Sequence, residues 1–198
     1  VSVLTRKGSN GLTPVLQRDA LVELCRALFE DGTKIRDTYL SSRVYSSTAS
    51  DSNIVIEPVE KKNLETLGKR PGIYIEYKGT KLNTPSMQHG LLKDSPNRTH
   101  FIFYMQSAIN VLCISSSASE AYSLASEVMT RLAENTSAIC HEYDLDGFKV
   151  TGMSNATQTK EFKDHWIVGV QIQLRAKHIS YRDRTDLPDR LTSSSNIA

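Results

Sequence analysis

A chain of 198 residues suits one domain, and at this length about 70% of the unfolded surface can be buried, so a core needs no metal or disulfide staple. With 39% hydrophobic and 23% charged residues the composition is that of an ordinary globular protein, and a net charge of +2 is too small to draw the whole surface to nucleic acid or membrane. No apolar run approaches the ~20 residues that a membrane helix needs.

Residues 1–13 read as a loose lead-in without a signal-peptide core. Thr13 offers an N-cap oxygen and Pro14 suits a first helical position, where its missing N–H costs little. Leu16, Ala20, Leu21, Leu24, Cys25 and Leu28 then recur at helical spacing as far as Gly32. Residues 38–53 are rich in Ser and Thr and predict a loop or arm. Ile54-Val55-Ile56 predicts a short strand ended by Pro58, and Gly72-Ile73-Tyr74-Ile75-Glu76-Tyr77 a second. Residues 79–98 show no clean period and predict a long loop or a short hairpin.

Residues 99–114 are β-branched and aromatic, which predicts a long strand. Ser117 and Glu120 have the spacing of a capping box. The helix behind them carries Ala121, Leu124, Ala125, Val128 and Leu132 on one face. Asp146-Gly147 predicts a tight turn between strands at 139–145 and 148–153. From Trp166 to Ala176 the residues Trp166, Val168, Val170, Ile172, Leu174 and Ala176 alternate with Ile167, Gly169, Gln171, Gln173 and Arg175, the period of a half-buried strand. The polar end, residues 181–198, predicts a flexible tail behind a single domain at 1–180. The fold class is α+β: a mixed or antiparallel sheet with two main helices packed on one face and long loops.

Motifs for phosphate cradles, nucleophile elbows and zinc-binding helices are absent. Cys140-His141-Glu142 with Asp144 is where reactive side chains gather. Strand alternation would point Cys140 and His141 apart, and the calcium-loop likeness of Asp144, Asp146 and Gly147 lacks its terminal glutamate. His89, His100, His165 and His178 have no ligand spacing, and Trp166 reads as a core aromatic. Cys25, Cys113 and Cys140 are odd in number and widely spaced, which fits free thiols in a reducing compartment. In that setting the sequons at Asn97, Asn135 and Asn155 are chance occurrences, and the chain is expected to be made in a cytoplasm. No catalytic, metal or cofactor site is expected.

Charge is unevenly distributed. Residues 60–81 hold six Lys or Arg against three Glu, and residues 115–147 hold six carboxylates against Arg131 alone. Two solvated faces would explain this. So would a head-to-tail contact between copies, with Lys61, Lys62, Lys69 and Arg70 of one meeting Glu120, Glu127 and Glu134 of the next.

The order of these elements resembles the tail-terminator (tail-completion) proteins of long-tailed bacteriophages, over about residues 14–177. The resemblance is carried by the early helix, Arg70-Pro71-Gly72-Ile73-Tyr74-Ile75, the strand ending Val111-Leu-Cys-Ile-Ser-Ser, the helix from Glu120 to Leu132 and the strand from Trp166 to Leu174. It implies a structural virion protein with no catalytic residues, assembled as a hexameric ring. Such a ring caps the tail tube and meets the head-side connector or stopper protein, with DNA passing through nonspecifically and no membrane involved. Segments 38–53, 79–98 and 181–198 go beyond the family pattern and are expected to order only against neighbours. They leave open another neck role: head-completion, stopper or adaptor subunit. Two readings from other classes remain: a small enzyme using Cys140 or His141, and a nucleic-acid-binding module resting on the basic 60–81 stretch.

Overall fold

A computed structural model describes residues 14–48, 53–61, 70–83, 91–95, 98–159 and 162–183. Helix α1 (Pro14–Phe29) opens on the proline as its sequence predicts; Thr13 lies outside the described residues. The helix stops at Phe29, short of Gly32. Phe29 and Val22 join Leu21 and Cys25 in the core, while Leu24 and Leu28 pack at its margin. Gly32 serves a close approach: a Cβ there would lie 2.3 Å from the Ser41 carbonyl oxygen, so the next loop crosses directly over it.

Seven strands follow: β1 (Val55–Pro58), β2 (Gly72–Asn83), β3 (Leu91–Ser95), β4 (Arg98–Ser115), β5 (Gly147–Met153), β6 (Thr157–Thr159) and β7 (Phe162–Asp183). They form one mixed sheet in the order β1-β2-β4-β7-β5, with β3 beside β4 and β6 beside β7. Among the described strands only the β1–β2 pairing is parallel. Between β4 and β5 lie α2 (Ala118–Glu134) and the short α3 (Thr136–Glu142). Helix α1 packs on β1 and β2, and α2 packs on β4, β5 and β7, so both main helices cover one face. This is the expected α+β architecture.

β7 alternates as predicted. Val168, Val170, Ile172, Leu174 and Ala176 are at most 2% exposed, while Gln171, Gln173, Arg175 and Lys177 face outward. Full burial of each large apolar side chain contributes about 1.5–3 kcal/mol, so this strand is a main anchor of the core. It runs on to Asp183, past the residue 180 at which a tail was expected, and residues 184–198 lie outside the described part. In β4 the core positions are the odd ones, with Ile109, Val111 and Cys113 fully buried. Trp166 is half-buried against the same core.

Two loops carry more structure than their sequences predict. In the 79–98 region β2 continues to Asn83 and β3 pairs with β4, which is the hairpin alternative; residues 84–90 and 96–97 are outside the described part. The 38–53 region holds a turn of 3-10 helix at Leu40–Ser42, and Leu40 is fully buried. The few apolar residues of this stretch, Leu40 and Val44 among them, sustain neither a strand nor a helix period, so the anchor leaves no periodic signal.

The predicted hairpin at 139–153 is not formed. Residues 139–142 belong to α3, where Ile139 reaches the core, and the turn after it places Asp144 at φ 49°. Positive φ falls on Asp144, a residue type that tolerates it, and strand structure begins only at Gly147. Tertiary burial of a single apolar anchor outweighs a local turn signal here.

Candidate subunit interface

The carboxylates predicted to meet a neighbouring copy lie mostly inside the domain. Glu120 is 6% exposed and accepts from Arg43 Nε at 3.1 Å and from the Ser115 hydroxyl. That arrangement also replaces the predicted capping box. Ser117 stands at the N-cap with extended backbone, but its side chain makes no capping bond, and its N–H donates to the Ser115 hydroxyl at 3.2 Å instead of to Glu120. Glu127 is 5% exposed, bonds Arg131 Nε at 2.5 Å and accepts the Arg36 backbone N–H at 3.2 Å. Arg131 in turn donates to the Leu28 carbonyl at 2.7 Å, tying α2 to the end of α1. Glu134 is on the surface and pairs with Arg36 at 2.7 Å.

Glu120, Glu127 and Glu134 therefore form a ladder down one side of α2 that fastens the 36–43 segment to the domain. Tyr45 N–H adds a bond to the Phe29 carbonyl, and Arg26 stacks 5.3 Å from the Tyr45 ring centroid. The expectation that Glu120 and Glu127 offer charge to a neighbour is corrected by their burial and their internal partners. Residues 36–45 are likewise strapped to the body of the subunit.

The basic half of the predicted contact is placed in part. Lys61 ends a 3-10 turn, Val59–Lys61, directly after β1. Its side chain, Lys62 and Lys69 lie outside the described residues. Arg70 precedes β2 and is half-buried; its charge acts on Tyr74, against the raising effects of burial and of Glu57, which together push the phenol up to about 12. Tyr74, Val55 and Ile114 make a small apolar cluster at that end of the face opposite the helices.

Cys140 and His141 sit on consecutive positions of α3, half-buried and exposed respectively. Among the described residues no three His, Cys, Asp or Glu side chains come together as a metal cluster would require. Cys25 and Cys113 are fully buried free thiols; desolvation pushes Cys25 up to about 12 and Cys113 higher still.

Sequence reasoning missed the open face of the sheet. Across its centre three rows of residues run from strand to strand: Gly79, Ala108, Gln173 and Lys149; then Lys81, Gln106, Arg175 and Gly147; then Asn83, Tyr104 and Lys177. Asn83 donates to Gln106 at 3.3 Å and Gln106 reaches Gln173 at 3.5 Å. Arg175 lies 4.7 Å from the Tyr104 centroid and pairs with Asp146. The signal was present in the alternation of β7, whose odd positions are Gln171, Gln173, Arg175 and Lys177, but the partners from β2, β4 and β5 could not be assigned without the register. The sequence matches no family model and no curated protein.

Proposed function

We propose that this chain is a structural subunit of a ring at the head-proximal end of a phage tail, capping the tail tube and joining it to the head-side connector. What supports this most is the length of the β4–β7 ribbon. The two strands pair without interruption from Arg98 with Asp183 to Ser115 with Trp166, about 60 Å of ladder. Leu82, opposite Met105 on the helix side of the sheet, is 65% exposed, whereas Ala176 in the same row is 2% exposed, so at this row the cover has ended over β2. A paired ribbon of this length is the kind of element by which subunits reach one another in a closed assembly. The element order behind the resemblance to tail terminators supports the same reading: early helix, central strands, second helix and final alternating strand.

Electron microscopy of the virion tests it. A ring of copies is expected between tail tube and connector, and particles lacking the protein should carry uncapped tails. Absence from the virion, or a position away from the neck, overturns the proposal. DNA-filled heads without attached tails, beside tails of normal length and with normal caps, would instead assign a stopper or other head-completion role.

A further inference from the structure

We propose that the lysine-bearing half of the open sheet face is a contact surface for the phosphate backbone of duplex DNA. The inference rests on the ring reading only for where such DNA would come from.

The face is cationic by placement. Lys81 on β2, Lys149 on β5 and Lys177 on β7 are exposed, and none makes an ion pair with a described residue. The three rows that carry them contain no carboxylate. Of the acidic residues nearby, Asp146 is held by Arg175 and Glu76 by Lys78 at 2.7 Å. From β2 to β5 is three strand spacings, so the strip is about 14 Å wide, close to the ~12 Å of a DNA major groove. Between the lysines lie amides, which donate readily to phosphate oxygens, and Asn83, Gln106 and Gln173 with Lys149, Arg175 and Tyr104 line a shallow depression.

An acidic protein surface is the competing occupant, and the composition of the face argues against it. Protein interfaces are centred on buried apolar and aromatic anchors, whereas the only aromatic side chain in these three rows is Tyr104, already stacked under Arg175. Protein–DNA interfaces are polar and strongly positive. The surface is also a sheet face with no described helix on it to enter a groove, so contact is with the backbone and carries no sequence preference.

The test is fluorescence anisotropy of the full-length protein with two labelled 30-base-pair duplexes of unrelated sequence. Three neutralised phosphates correspond to a log–log salt slope of about −2.7, or about a 40-fold loss of affinity between 50 and 200 mM salt. The two duplexes should bind within twofold of each other. The triple variant Lys81→Glu/Lys149→Glu/Lys177→Glu should lose at least tenfold at 50 mM salt while keeping its melting temperature. Lys34→Glu, on an exposed turn elsewhere, should bind like the parent. Binding that survives the triple variant, or no binding at 20 mM salt, overturns the proposal. Polyglutamate competing as well as unlabelled DNA at equal charge overturns it in favour of an acidic protein partner. Loss of DNA binding with the ring still seen in the neck leaves the ring standing. A DNA-binding face on a protein absent from the virion leaves this inference standing without the ring.

Discussion

The two faces of the sheet handle polar side chains under opposite rules. On the helix-covered side every charge near the core has a partner within the subunit: Glu120 has Arg43, and Glu127 has Arg131. On the open side Lys81, Lys149 and Lys177 stand in solvent among amides. Burial explains the difference. Removing a carboxylate from water costs several kcal/mol unless a cation and hydrogen bonds replace the lost hydration, so the covered face keeps only charges that are already matched. The open face bears no such cost, and charge there stays available to something outside the chain. Counting charges along a segment therefore says little about an interface until burial is known.

Substitutions on neighbouring residues of β7 test that contrast most severely. Val170→Asp places a carboxylate in the fully buried face and should cost more than about 4 kcal/mol, enough to unfold the domain. Gln171→Asp, one residue on but on the open face, should change stability by no more than about 0.5 kcal/mol. Urea denaturation of both variants checks this, and equal effects would mean that the two faces are not distinct.

A smaller effect separates the carboxylates of α2. Glu127→Ala leaves the Arg131 guanidinium buried without its counter-ion and should cost about 3–5 kcal/mol. Glu134→Ala breaks an exposed pair with Arg36, for which about 0–1 kcal/mol is typical. Thermal melts that place the two variants together would remove the distinction between internal strap and surface charge.

The weakest probe is alkaline pH. Cys25 is raised from 9.0 to about 12, Cys113 is raised as well, and Tyr74 rises from 10.0 to about 12, all chiefly by desolvation. Unfolded, the thiols lose their protons from about pH 9, while folded they keep them. Their stabilising contribution is thus complete below pH 9 and falls as pH rises toward 12, by about 1.4 kcal/mol per pH unit for each group. Denaturation midpoints should drop from pH 9 to pH 11, and Cys113→Ala should flatten the slope. In native protein at pH 8, only Cys140 should react readily with a thiol reagent.

Much of the fold was legible because its signals are local. Eleven residues of strict alternation in β7 allowed one strand register only, since a slip of one would reverse its faces. The apolar face of α2 likewise needed no knowledge of its surroundings. The candidate interface was far less legible. Glu120, Glu127 and Glu134 recur every seven residues, which places them on one side of a helix, but periodicity does not reveal whether charged residues meet solvent or a buried arginine. Their nonlocal partners, Arg43 and Arg36, come from 77 to 98 residues away, inside and just before a Ser/Thr-rich stretch with no period.

By itself, then, the amino-acid order determined the buried face of β7, the long central strand and the early and middle helices. The helices and β7 follow from which apolar residues recur at 3.6 or 2.0 spacing, and the central strand from its β-branched and aromatic content. Tertiary structure alone decided that residues 139–142 turn helical, that Leu40 plugs the core, that two glutamates of α2 are internal and that three lysines share the open face. Those outcomes depend on pairings between distant segments, where burial and a matching charge, rather than local propensity, set the free energy.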